Sequence, residues 1–334
     1  MSTSTFRFHS PADLSTAIEG TGAIAPPMFR YPDLTTTVPQ EFVHRAAVAE
    51  VLLTGWERLD DTTFRIKAQL PRSHSFYAPL SGARYDPLMV TETIRQVGSL
   101  LAHAEFTVPL GHQFMMKDLT VSMRPGQLLV GDTPAALDLH VTCSETKWRR
   151  QAFAGTRYDA VIRRDGEIVA TGGAMYTCVA PEVYRRLRGD RRRSGEGAAP
   201  QLTAPVSPQS VGRMSPMDVV LSPANEADRW RLRVDTRHPI LFDHPVDHVP
   251  GMVLLEAARQ AATALLLRSD PQHSPLLPLR VESEFLRYTE LDAPCTIEAC
   301  RVPGGPQEVA VLVTGTQNGE QVFSCVIAAA DAHL

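Results

Sequence analysis

Two stretches of this chain carry the same reactive side chains at the same spacing. Glu92, Arg95 and Gln96 stand in PLMVTETIRQVGSLL, and Glu256, Arg259 and Gln260 stand in PGMVLLEAARQAATALL. Each surrounding segment is apolar nearly all round, as a central buried helix is. Positions 92, 95, 96 and 99 share one helix face, and so do 256, 259, 260 and 263. A buried charge costs several kcal/mol unless it is paired. The plain reading is an ion pair at i, i+3, with the glutamine satisfying a partner across an interface. The sharper reading is a site, since a buried carboxylate is a group whose pKa can be tuned for proton transfer.

The loop ahead of the second segment adds candidates. Asp243, His244, Asp247 and His248 cluster before Pro250-Gly251. Gly251 at a helix start frees a backbone N–H for a carbonyl oxygen. Asp243 and Asp247 also suit capping and turns. The histidine pair lies in a proline-containing loop with no obvious third ligand, so no metal and no other cofactor is expected.

The two segments belong to a duplication. HSFYAPLSGARYDPLMVTETIRQVGSLL, from His74, aligns without a gap under HPILFDHPVDHVPGMVLLEAARQAATAL, from His238, at an offset of 164 residues. Short alternating runs rich in Val, Thr, Tyr and Phe surround each helix and read as strands. Arg163–Gly166 (RRDG) and Gln317–Gly319 (QNG) carry hairpin turns. Each half therefore predicts a strand or two, one long helix, then antiparallel strands. The expected bounds are an arm over 1–40, a first domain over 41–180, a linker over 181–212 and a second domain over 213–334. The linker contains RRLRGDRRR and is rich in Pro, Gly and Ser, so it is expected to be solvated.

Composition limits the function classes. A net charge of -4 gives no reason to expect DNA as a partner. Five scattered cysteines with no CxxC argue against a disulfide framework and a thiolate zinc site. No apolar run approaches the roughly 18 residues of a membrane span, and the first residues lack a signal-peptide core. A reduced, cytoplasmic setting is expected.

Two resemblances follow from the quoted residues. HVPGMVLLEAARQA resembles the hot-dog fold of β-hydroxyacyl-thioester dehydratases, where a Pro-Gly opens the central helix and a Glu lies six residues after the Pro. Their upstream histidine has no clean match here, because His244 stands too close to Pro250, which argues against dehydration. HSFYAPLSGARYDPLMVTETIRQVGSLLAHAEFTVPLGHQFMMKDLTVSM and FDHPVDHVPGMVLLEAARQAA are together similar to the A-factor biosynthesis family. That resemblance implies an α+β double hot dog, two antiparallel sheets each wrapped around a long helix. It also implies an acyltransferase that moves a β-ketoacyl group from acyl carrier protein to dihydroxyacetone phosphate, whose ester closes to a phosphorylated butenolide. Glu92 or Glu256 would then act as base with a pKa raised by burial, and Arg95 and Arg259 would take the phosphate. Gln96 and Gln260 would help bind substrate, and Gly251 would polarise the thioester oxygen. His244 and Asp243 would orient groups or shuttle protons, and Lys117 would meet an acidic carrier protein. One productive and one degenerate site are expected, in a monomer with an internal pseudo-dimer or in a homodimer. A hot-dog thioesterase or dehydratase, and a non-catalytic ligand-binding scaffold, are the competing readings.

Overall fold

The computed structural model describes residues 34–78, 82–189, 202–269, 277–305 and 308–330. Most of the expected arm, Pro79 and Leu80 of the first loop, and the middle of the expected linker lie outside them. The first half contributes β1 (Leu53–Arg58), β2 (Thr63–Leu70), α1 (Pro87–Ala104), β3 (Gln113–Met123), β4 (Ala135–Arg149), β5 (Ala152–Arg164) and β6 (Glu167–Val179). A short helix α2 (Pro181–Arg188) follows. The second half contributes β7 (Leu221–Pro223), β8 (Arg229–Leu232), α3 (Gly251–Ser269), β9 (Arg280–Phe285), β10 (Cys295–Val302), β11 (Glu308–Gln317) and β12 (Glu320–Ala330).

All twelve strands join one antiparallel sheet in the order β1-β2-β4-β5-β6-β3-β9-β12-β11-β10-β8-β7. The halves meet where β3 pairs with β9, and Leu119 lies opposite Ser283 in that ladder. These two residues are also 164 apart, so the helix offset recurs at the sheet junction. The strands alternate as half-buried strands do: β2 and most of β4 bury every second residue. Asp165-Gly166 and Asn318-Gly319 have positive φ throughout and close the β5–β6 and β11–β12 hairpins.

Both long helices lie against the inner face of the sheet, α1 on β3, β5 and β6 and α3 on β10, β11 and β12. The Asp86 carboxylate caps α1 by accepting from Leu88 N at 2.8 Å, and Pro87 supplies the first helical residue. Tyr158 and Tyr176 pin the middle of the helix by donating to the carbonyls of Ile94 and Gly98. A Cβ on Gly98 would stand 2.8 Å from the Tyr158 ring, so this contact requires glycine.

The expected solvated linker needs correction at both ends. Its first residues form α2, and Arg188 is buried in a bidentate pair with Glu290, both bonds 2.7 Å. Arg188 also stacks on Tyr288 and donates to the Asp247 carbonyl. At the other end, Pro208–Val211 forms a 3₁₀ turn whose Val211 is fully buried. Counting the run as like charges hid Arg188, because two carboxylates that receive it lie far away in sequence.

Arg188→Met would leave Glu290 and Asp247 without their shared cation. Urea unfolding should show a loss of about 3–5 kcal/mol, and a loss of a few tenths would contradict this packing.

Candidate active site

Each long helix holds its glutamate inside a clamp of two arginines and one glutamine. In the first half, Arg95 donates to both Glu92 oxygens at 2.7 Å. Arg45 reaches Glu92 Oε1 at 2.6 Å, and Gln96 donates to the same oxygen at 2.8 Å. In the second half, Arg259 and Arg213 embrace Glu256 at 2.6–3.0 Å, with Gln260 completing the set. The glutamines also read backbone: Gln96 bridges Glu50 O and Leu52 N, and Gln260 bridges Asp218 O and Val220 N. Thus both ion pair and interface role are present together.

The elements that present the outer arginines repeat as well. Arg45 and Arg213 each follow a 3₁₀ turn, Gln40–Val43 and Pro208–Val211. Arg45 donates across the molecule to the Ile240 carbonyl, and Arg213 donates to the Phe76 carbonyl. Ile240 and Phe76 are themselves 164 apart. The matched histidines hold those two loops: His74 Nδ1 accepts from Phe76 N and Tyr77 N, and His238 Nδ1 accepts from Ile240 N and Leu241 N. The outer arginine of each cluster is therefore also held by the loop of the opposite half.

This crossing decides which glutamate the second loop faces. The buried Asp243 accepts from Ala46 N at 2.8 Å and Ala47 N at 3.2 Å, beside Arg45 and Glu92. His244 stands next to it, half exposed, with Nδ1 at 3.3 Å from the carboxylate. Asp247 and His248 point elsewhere, to Tyr184, Arg188 and Tyr288. Gly251 opens α3 against the Phe285 ring, 3.1 Å from where a Cβ would sit. Lys117 lies exposed at a bulge of β3 and forms no ion pair among the described residues.

The expected raised glutamate pKa values are reversed. Burial alone would raise them, but two guanidinium charges and their hydrogen bonds outweigh it and hold Glu92 and Glu256 down to about 2. Both carboxylates stay ionised at neutral pH, and every carboxylate oxygen accepts from an arginine. They anchor the arginines. The sequence reading missed Arg45 and Arg213 because they repeat at an offset of 168, not 164. VHR (43–45) and VGR (211–213) carry the signal once a four-residue shift is allowed.

The clusters differ in their openness and in their borders. Arg95 keeps 21% of its side chain exposed and Arg259 only 7%, so the first cluster is the more exposed of the two. His44, His103 and Phe114 border the first cluster. The buried Tyr77 hydroxyl has no hydrogen-bond partner among the described residues and lies close enough to Arg45 and Glu92 to feel their charges. Burial keeps that phenol protonated, a donor with an unfilled bond. A separate open groove of about 440 Å³ lies on the outer sheet face, lined by His140, Asp159 and Arg280, far in character from either cluster.

Depressed carboxylates tie stability to acid. The unfolded glutamates bind protons near their ordinary 4.5, while the folded ones resist until about 2. Their contribution is complete above the upper value and disappears as pH falls toward the lower one. Urea midpoints should therefore drop steeply across that window. Glu92→Gln should flatten the drop, and an unchanged slope would contradict the clamp.

A family model described as the A-factor biosynthesis hotdog domain matches residues 30–180 and again 196–329. A 2-oxo-3-(phosphooxy)propyl 3-oxoalkanoate synthase of Streptomyces virginiae is 52% identical over 295 residues, covering 88% of this chain and 98% of that protein. A protein of the same name from Streptomyces griseus is 42% identical, covering 88% and 95%. Among solved structures, a 12:0-ACP thioesterase from Umbellularia californica is similar at a TM-score of 0.47 and 11% identity, covering 82% of this chain and all of that one. With the family model matched twice, once in each half, this chain belongs to the A-factor biosynthesis hotdog family as a double hot dog.

Proposed function

We propose that the chain transfers a β-ketoacyl group from a thioester to the hydroxyl of dihydroxyacetone phosphate, with acyl carrier protein as the thioester's carrier. The product is the 2-oxo-3-(phosphooxy)propyl 3-oxoalkanoate ester for which the relatives are named. Intramolecular aldol condensation of that ester gives a phosphorylated butenolide. The observation that carries the reading is the near full-length identity to a synthase of that name.

The residues fit the demands of the reaction. An anionic phosphate needs a cation that is fixed yet reachable. Arg95 is fixed by Glu92 through Nε and Nη2, and its Nη1 meets no protein acceptor among the described residues. Arg45 stands on the same carboxylate and also reaches toward Asp243. With Asp243 also 3.9 Å from Arg45, cations and carboxylates balance in number, and the open Nη1 of Arg95 is the group that a phosphate ester would meet. The Tyr77 hydroxyl offers a hydrogen bond to a substrate oxygen. The second cluster, more closed, holds the fold and is the degenerate member of the pair.

Incubation of a β-ketoacyl carrier protein with dihydroxyacetone phosphate should give the ester and its cyclised product by mass spectrometry. Arg95→Met should lower kcat/KM for the triose about 10- to 100-fold, as expected for a lost charge-assisted contact. Release of free β-keto acid at the same rate with and without the triose would make water the acceptor and overturn the proposal.

A further inference from the structure

The acyl acceptor is an alcohol, and its proton must go to some group as the new C–O bond forms. Glu92 is engaged by its arginines, so the acceptor of that proton lies elsewhere. His44 borders the same cluster. Its Nε2 lies 2.8 Å from His103 Nε2, and His103 Nδ1 lies 2.7 Å from the Val108 carbonyl. A carbonyl only accepts, so His103 Nδ1 carries a hydrogen. Neutral His103 then presents a lone pair at Nε2, and His44 Nε2–H donates to it. This chain of bonds fixes the His44 tautomer and leaves its Nδ1 as a lone pair. Among the described residues Nδ1 has no hydrogen-bond partner, and the ring is held edge-on by Phe114.

The backbone says that His44 is kept for its side chain. It lies at φ 53, in the left-handed region, where the matching residue of the other half is Gly212 at φ 70. A side chain at this position is strained, and the second half avoids the strain. His103 likewise matches Leu267 across the offset of 164. The histidine pair is thus confined to the more open cluster.

Resting on the acyl-transfer reading above, we infer that His44 Nδ1 takes the hydroxyl proton of the acceptor alcohol and that His103 is the positioning residue that sets its tautomer. The alcohol oxygen attacks the thioester carbonyl carbon as its proton passes to Nδ1. The tetrahedral adduct then expels the thiolate as the C–S bond breaks, and Nδ1–H returns the proton to that sulfur. No oxidant or other reactant is needed.

The charges around His44 make it responsive to substrate. Arg95 and His103 face it from α1, His244 from the loop before α3, and Arg45, Glu92 and Asp243 lie beside them. Burial first, then the Arg95 charge, hold the free imidazole down to about 3. A phosphate dianion on Arg95 opposes that charge and raises the basicity of His44 only when the triose is bound. The acid limb of kcat, which reports the complex, should therefore lie at higher pH than that of kcat/KM.

The test uses the full chain with β-ketoacyl carrier protein and dihydroxyacetone phosphate. His44→Gly keeps the backbone that Gly212 shows to be compatible, and His103→Leu copies Leu267; circular dichroism checks both folds. His44→Gly should lower kcat about 100-fold, lose the acid limb in its residual activity and recover in part with added imidazole. His103→Leu should lower kcat about 10-fold and displace that limb. If His44→Gly keeps kcat within about threefold of wild type, or loses activity with the acid limb intact and no response to imidazole, the assignment is overturned. If the wild type itself forms no ester, it is the acyl-transfer reading that fails.

Discussion

A carboxylate sealed from water beside two guanidinium groups is the constraint on which both halves are built. Taking either charge alone out of water costs several kcal/mol. The cost is met only when Arg45, Arg95 and Gln96 all reach Glu92, and when Arg213, Arg259 and Gln260 all reach Glu256. Those partners come from the helix itself and from the segment before the first strand of each half. The clamp therefore fixes where that segment docks. Through the carbonyls of Ile240 and Phe76 it also fixes the loop of the opposite half. Each clamp is thereby tied to the other half.

The duplication accounts for the shared frame, but the two halves are not identical. Clamps, 3₁₀ turns, loop histidines and the β3–β9 junction all obey one approximate two-fold relation. Departures gather at the first cluster: His44 for Gly212, His103 for Leu267, Tyr77 for Leu241, and a half-open Arg95 against a closed Arg259. A symmetric frame needs none of these. Their common location sets the first cluster apart from the second.

Much of this was legible in the chain because periodicity and spacing are local. The apolar rods, the Glu-Arg-Gln stripe, the turns at Asp165-Gly166 and Asn318-Gly319, and the offset of 164 are all short-range patterns. The partners of the stripe were not legible, because an ion pair between Arg45 and Glu92 spans 47 positions and leaves no periodic trace. A gapless comparison also slides past Arg45 and Arg213 by four residues. The expectation of a raised carboxylate pKa failed for the same reason: burial is visible in an apolar run, but a second arginine from elsewhere is not. Arg188 shows this too, since its partners Asp247 and Glu290 lie in the other half. His44 carried no signal beyond a residue type, and only its left-handed backbone opposite Gly212 marks it.

On the proposed reading, the first cluster and not its twin receives the phosphate of the acceptor. A crystal structure of the chain with dihydroxyacetone phosphate tests it most directly. The account expects the phosphate on Arg95 and Arg45, with the reacting hydroxyl toward His44 Nδ1. Triose bound at Arg213 and Arg259 instead, or on the outer sheet groove with the first cluster untouched, would contradict it.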